Sequence, residues 1–157
     1  MHEHAKALFS NVPLWAAFFC WCTAQGLKIA LDVARTRSFD LRRFSATGGM
    51  PSAHTATVCG LATSTGMAAG FDSPAFAVAA VFALITMFDA STVRYAAGQQ
   101  ARVLNEIIAE LRKDRQVRAA KLKELLGHTR VEVLAGMVLG VALSALLSAW
   151  WLPSAGA

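Results

Sequence analysis

Apolar residues fall in four long runs separated by polar stretches. The first covers about residues 12–30, the second 52–70, the third 74–97 and the fourth 131–152. Each approaches the roughly 20 residues a helix needs to cross a bilayer. The first run is rich in aromatics (Trp15, Phe18, Phe19, Trp21) and the third stays apolar until Asp89. The fourth ends in Trp150 and Trp151, a pair suited to the membrane interface. The second run is the least hydropathic, and its Ala, Thr and Gly suit a helix packed among other helices. Gly66 with Gly70, and Gly136 with Gly140, are spaced to let helix backbones approach closely. The pattern predicts an all-α integral membrane protein, one domain over 1–157, with about four transmembrane helices.

Residues 98–127 break the pattern. Val103, Leu104, Ile107, Ile108 and Leu111 make an apolar stripe at helical spacing, continued by Leu122, Leu125 and Leu126. This predicts an amphipathic helical loop at the membrane surface or against the bundle. No run alternates as a strand would, and no internal repeat or low-complexity segment is present.

Composition sharpens the membrane reading. The chain has 157 residues, 55% of them hydrophobic, and a mean hydropathy of +0.45. Only 16% are charged, against roughly 25% in soluble domains. The net charge of +5 would raise nucleic acid for a soluble protein. Here the basic residues sit between apolar runs, so topology explains them and no nucleic-acid partner is expected. Arg35, Arg37, Arg42 and Arg43 occupy the first loop; Arg102, Arg112, Lys113, Arg115, Arg118, Lys121, Lys123 and Arg130 occupy the long one. The positive-inside rule puts both loops in the cytoplasm and both termini outside, in the cell (inner) membrane. Cys20, Cys22 and Cys59 are odd in number and lie in apolar runs, which argues against a disulfide framework. The N-terminus lacks the pattern of a cleaved signal, so the first run is expected to be retained. His2 and His4 fall in what reads as a mobile terminus.

The unusual polar residues cluster by topology. Lys28 closes the first run, with Arg35 two turns on; Gly48-Gly49-Met50-Pro51-Ser52-Ala53-His54 opens the second; Asp89 and Arg94 lie near the end of the third; His128 and Glu132 open the fourth. With four spans, all of them share the cytoplasmic face. Ionisable groups at the edge of membrane segments are costly and mark function. His128 and Glu132 are four apart on an expected helix start, so they would share a face, the carboxylate orienting the imidazole. A helix opening at Pro51-Ser52 presents backbone N–H groups to an anion, and Lys28, Arg35 and Arg94 supply cations for phosphate oxygens. Each also has a plain reading: Lys28 and Arg35 as topology charges, Asp89 and Arg94 as a structural ion pair, Ser52 as a residue of the cap, and His128 as a residue at the helix N-terminus with Glu132 favoured there by the dipole. The combination carries the functional reading.

These three blocks, Gly48 to His54, Asp89 to Gly98 and Gly127 to Gly136, resemble the divergent membrane branch of the type 2 phosphatidic acid phosphatase and vanadium haloperoxidase superfamily. The resemblance covers about residues 12–150. Lys28 and Arg35 have the spacing of the first superfamily block, with Thr36 in place of its proline. Pro51, Ser52 and His54 match the second, with Ala53 for glycine. His128 and Glu132 match the end of the third, with Glu for Asp and Leu122 where an arginine is usual. The resemblance implies that His128 attacks phosphorus, Glu132 orients it and His54 protonates the leaving oxygen. It implies phosphate contacts from Lys28, Arg35 and Ser52, with Asp89 and Gly49 in support. Arg94 is inferred to stand in for the missing third-block arginine.

The sequence therefore leads to a lipid phosphate or diphosphate phosphatase, independent of metal and cofactor, acting through a phosphohistidine. Its partners would be the bilayer and a phospholipid or polyprenyl phosphate. A homo-oligomer would complete a site that four helices enclose poorly. The alternative is a non-catalytic phospholipid-headgroup binder or a transport or assembly subunit. Vanadate-dependent oxidation follows from the superfamily alone and suits a small membrane chain least.

Overall fold

A computed structural model of the chain describes residues 2–37, 49–113 and 128–155. Within them it shows α1 (His2–Phe9), α2 (Val12–Thr36), α3 (Ala53–Ala69), α4 (Pro74–Ser91), α5 (Val93–Lys113) and α6 (Arg130–Ala155). Residues 115–126 of the basic loop, with its second apolar stripe, lie outside the described residues, as do Arg42, Arg43 and Gly48. Residues 2–9 form a short helix where the sequence suggested a loose terminus.

Helix starts follow local chemistry. The Asn11 side chain accepts from the Leu14 N–H at 3.2 Å, with Pro13 in the first turn of α2. Ser73 caps α4 in the same way, accepting from the Phe76 N–H at 3.2 Å, with Pro74 in the first turn. The ends depart further from the pattern. α2 runs on to Thr36, so Lys28 lies inside the helix and Arg35 in its last turn. α4 stops at Ser91, and Thr92 leaves the helical region at φ −121° and ψ −69°. The Ser91 and Thr92 hydroxyls donate back to the Met87 and Phe88 carbonyls, an arrangement that bends helices. Arg94 accordingly opens α5 instead of closing the third run.

Size, more than polarity, separates inside from outside. The buried core is Ala16, Ala17, Cys20, Ala24, Ala56, Cys59 and similar small residues. The largest fully buried side chains are Thr55, Cys20, Ser52, Ser64, Ser144 and Ser148. The bulky Phe82, Ile85, Phe88, Leu134, Leu146 and Trp150 all face outward. Lipid is as apolar as leucine, so a membrane helix gains by close backbone packing and not by hiding large side chains. Three helical stretches are long and apolar enough to cross a membrane: Val12–Thr36, Pro74–Glu110 and Arg130–Leu152. The 17-residue α3 rises about 25 Å and packs at the centre, touching α2, α4 and α6.

α3 and α6 meet along a seam with constant register. A Cβ on Gly136 would run into the Ser52 carbonyl, and one on Gly140 into the Ala56 carbonyl. Further along, the Ser144 hydroxyl donates to the Gly60 carbonyl at 2.6 Å and Ser148 to the Ser64 hydroxyl at 2.8 Å. Both ridges advance by fours in the same direction, so the two helices are parallel. α2 and α4 run the opposite way. The Cys20 thiol reaches the Gly140 carbonyl at 3.6 Å while Lys28 lies against Gly49, and Cys59 Sγ lies 3.7 Å from Met87 Sδ. The last turns of α2 and α4 and the first turns of α3 and α6 therefore gather at one end of the bundle.

Candidate functional site

That end carries the polar residues singled out by the sequence. Ser52 starts α3: its hydroxyl oxygen accepts from the Thr55 N–H at 3.4 Å and from the Thr55 hydroxyl at 3.1 Å. Two residues on, His54 is exposed on the first turn. Thr129 starts α6. Its hydroxyl oxygen accepts from the Glu132 N–H at 3.3 Å, and the Glu132 carboxylate accepts from the Thr129 N–H at 2.9 Å. This reciprocal pair is a capping box. Two backbone bonds lock the starts to their neighbours. The Ser52 N–H donates to the Glu132 carbonyl at 3.0 Å, and the His128 N–H donates to the Ala90 carbonyl at 3.0 Å.

The consequence is a pair of imidazoles on separate helices. The rings of His54 and His128 meet edge-to-face, 6.0 Å between centroids and 75° between planes. His128 is 5% exposed, so one ring is buried and the other open. Lys28, half-buried on α2, lies with its side chain along Gly49. A Cβ at Gly49 would meet Lys28 Cε at 3.0 Å, and the residue sits at φ +93°, so glycine suits this position twice over. The carboxylates of Glu132 and Asp32 are near enough to act electrostatically on the Lys28 ammonium.

Several expected roles move. The helix begins at Arg130, so His128 lies before the cap and does not share a helix face with Glu132. The Glu132 carboxylate holds the capping box, because a helix start with Thr three residues before Glu satisfies two backbone donors at once. Ser52 is fully buried with its hydroxyl in the α3 cap, so it is not presented to an incoming phosphate. Arg35 is exposed in the last turn of α2, and no contact among the described residues joins it to His54 or His128. Asp89 is half-buried at the end of α4, next to the Ala90 carbonyl that holds His128. Arg94 lies just past the break at Thr92, and its side chain lies outside the described part of the structure. The structure thus brings together Lys28, Gly49, Ser52, His54, Asp89, His128 and Glu132.

Sequence reasoning missed Thr129 and Asp32. The first was legible as Thr-x-x-Glu ahead of an apolar run, the second as a carboxylate four residues after Lys28. The pairing of Gly136 with Ser52 had no local signal. Among the described residues, no three His, Cys, Asp or Glu side chains gather as metal ligands.

The sequence profile described as the Divergent PAP2 family matches residues 9–143. The chain belongs to the divergent PAP2 family. A relative from Bacillus subtilis (strain 168), named as the uncharacterized membrane protein YuiD, is 39% identical over 152 residues, covering 90% of this chain and 96% of that protein. No solved structure matches. Divergent PAP2 membership and the membrane-protein relative agree with the apolar bundle, and the matched stretch contains both histidines, Lys28 and the capping box.

Proposed function

We propose that this divergent PAP2 protein hydrolyses a lipid phosphate or diphosphate at the cytoplasmic face of the cell membrane, without a metal, through a phosphohistidine. The observation that carries the reading is the 6.0 Å approach of His54 and His128 at the opening of α3. The phosphate lies beside the paired rings and within reach of both, near the N–H groups of the first turn of α3 and the Lys28 ammonium. His128 attacks phosphorus and the phosphorus–oxygen bond to the lipid breaks. His54 gives its proton to the leaving oxygen. The same imidazole, now neutral, takes a proton from water, which attacks phosphorus; the P–N bond breaks, phosphate leaves and His128 is restored. Glu132 acts through the backbone, its cap fixing the turn that carries His128 and its charge holding Lys28. The two basic loops adjoin this end, which is the basis for placing it in the cytoplasm.

Phosphate release from a panel of lipid phosphates and diphosphates, by purified protein in detergent with EDTA, tests this. Wild type releases phosphate, and His54→Asn and His128→Asn each lose on the order of 10²- to 10⁴-fold in rate, the range of a positioned acid–base group. Melting temperatures of both variants confirm that the bundle is intact. Wild type that releases nothing overturns the reading.

A second reading is favoured by one observation: Ser52 and Glu132 are engaged in helix caps. A non-catalytic headgroup binder needs only Lys28 and the helix start. It predicts lipid phosphate binding that survives His128→Asn, with no release from wild type.

A further inference from the structure

α4, at 18 residues, rises about 27 Å and by itself fills the ~30 Å hydrocarbon thickness. α5 therefore starts at the membrane surface. The break at Thr92 frees it from the axis of α4. Its surface differs in kind from that of the spans, dividing apolar from polar more sharply than any other described helix. Gly98 and Asn105 are buried and Ala101 and Ile108 half-buried, which makes one covered side. Arg102, Glu106 and Glu110 make an exposed charged side, with Arg102 and Glu106 paired at 3.4 Å. Between these sides Val103, Leu104 and Ile107 stand 55%, 48% and 46% exposed. Among the described elements α5 packs mainly on α4. A helix apolar all round spans or is buried, whereas one divided like α5 lies in the plane of the interface.

Charge selects what meets the apolar stripe. At this end Arg35, Arg37, Arg102 and Arg130 are exposed, and residues 112–123 of the sequence hold six basic residues and one acidic. A second copy would bring the same charge against it. An anionic bilayer surface is complementary and attracts basic segments beside a membrane helix. We propose that α5 docks Val103, Leu104 and Ile107 on the anionic bilayer surface beside the histidine end. The contact bears on that end directly. Val93 opens α5 three residues after Ala90, whose carbonyl accepts from the His128 N–H, so the bilayer steadies the turn that holds His128. The docking stands whatever chemistry the two histidines perform.

Nitroxide labels on Ile107→Cys and Ala109→Cys, each in the full chain reconstituted into vesicles, test this. Ala109 is exposed on the charged side of α5. The parent treated alike, with its own Cys20, Cys22 and Cys59, is the blank. In equal parts of phosphatidylglycerol and phosphatidylcholine, the label at 107 collides with oxygen more than with a water-soluble nickel chelate, and the label at 109 does the reverse. In phosphatidylcholine alone, nickel accessibility at 107 rises about fivefold or more, the worth of one basic residue at an anionic surface. A label at 107 that meets nickel as freely as the label at 109 overturns the inference, as does equal nickel accessibility in the two kinds of vesicle. So does a label at 107 shut off from both reagents, with dipolar broadening between labels assigning the face to a second copy. Val103→Glu with Leu104→Glu raises nickel accessibility at 107 in the anionic vesicles and leaves the midpoint of detergent unfolding as in the parent. No rise, or a lower midpoint that places the stripe in the core, overturns the inference as well.

Discussion

α3 and α4 are neighbours of nearly equal length, 17 and 18 residues, built on opposite plans. α3 buries Thr55, Ala56, Gly60, Ser64 and Gly66 and carries few large side chains. α4 buries Ala79, Ala83 and Ala90 and turns Val78, Val81, Phe82, Leu84, Ile85 and Phe88 outward. By hydropathy α4 is the better membrane helix, yet α3 holds the bundle together. In a solvent of hydrocarbon chains, burying leucine gains little. Burying glycine and serine brings backbones close, and hydroxyl bonds across helices add about 0.6 kcal/mol on average. The same economy places the polar site on α3. A helix with no bulk of its own lets its neighbours bring Lys28, Ala90 and His128 within reach of its first turn.

The comparison breaks most readily at the seam. Gly140→Leu drives a side chain into the Ala56 carbonyl and is expected to cost about 3 kcal/mol, at the upper end of overpacking, read as a lower midpoint in detergent unfolding. An unchanged midpoint would mean that α3 and α6 do not meet there. Removing either cap, by Ser52→Ala or Thr129→Ala, costs about 1 kcal/mol each. Because the Ser52 N–H is bonded to the Glu132 carbonyl, the two losses are coupled, and the double variant departs from their sum by about 0.5 kcal/mol or more. Strict additivity would separate the two helix starts. Glu132→Gln keeps a capping-box residue and changes the midpoint by less than about 0.5 kcal/mol, so any loss of phosphate release reports on the charge beside Lys28. A stability loss equal to that of Thr129→Ala would show that the charge, and not the cap, holds this end. The smallest effect is on α4: Val78→Ala, at 72% exposed, shifts the midpoint by no more than about 0.5 kcal/mol.

Much of this was legible without coordinates. The helix starts at Val12, Ala53, Pro74 and Arg130 lie within one residue of where the apolar runs begin, because a cap is a local event of three or four residues. The ends were less legible. α2 runs six residues beyond the apolar pattern, carrying Arg35 with it, and α4 stops short at a Ser-Thr pair that bonds to its own carbonyls. At the site, the sequence singled out both histidines, Lys28, Ser52 and Glu132, and left open whether the last two serve phosphate chemistry or the helix starts. Residue type fits a phosphate donor and an orienting carboxylate equally well as two helix caps, and only the position of the helix start distinguishes them.

What the sequence determined by itself was the class of the molecule: an all-α membrane chain whose ionisable residues collect at the ends of apolar runs. Hydropathy, capping chemistry and the cost of burying charge in lipid act over a few residues, so each leaves a local pattern. Only the tertiary structure decided that α3 lies at the centre, that α6 packs parallel to it through Gly136 and Gly140, and that His54 faces His128. Those contacts join residues 74 to 84 positions apart in the chain. They depend on which backbones approach closely, a property of matched small residues on two helices that neither helix shows alone.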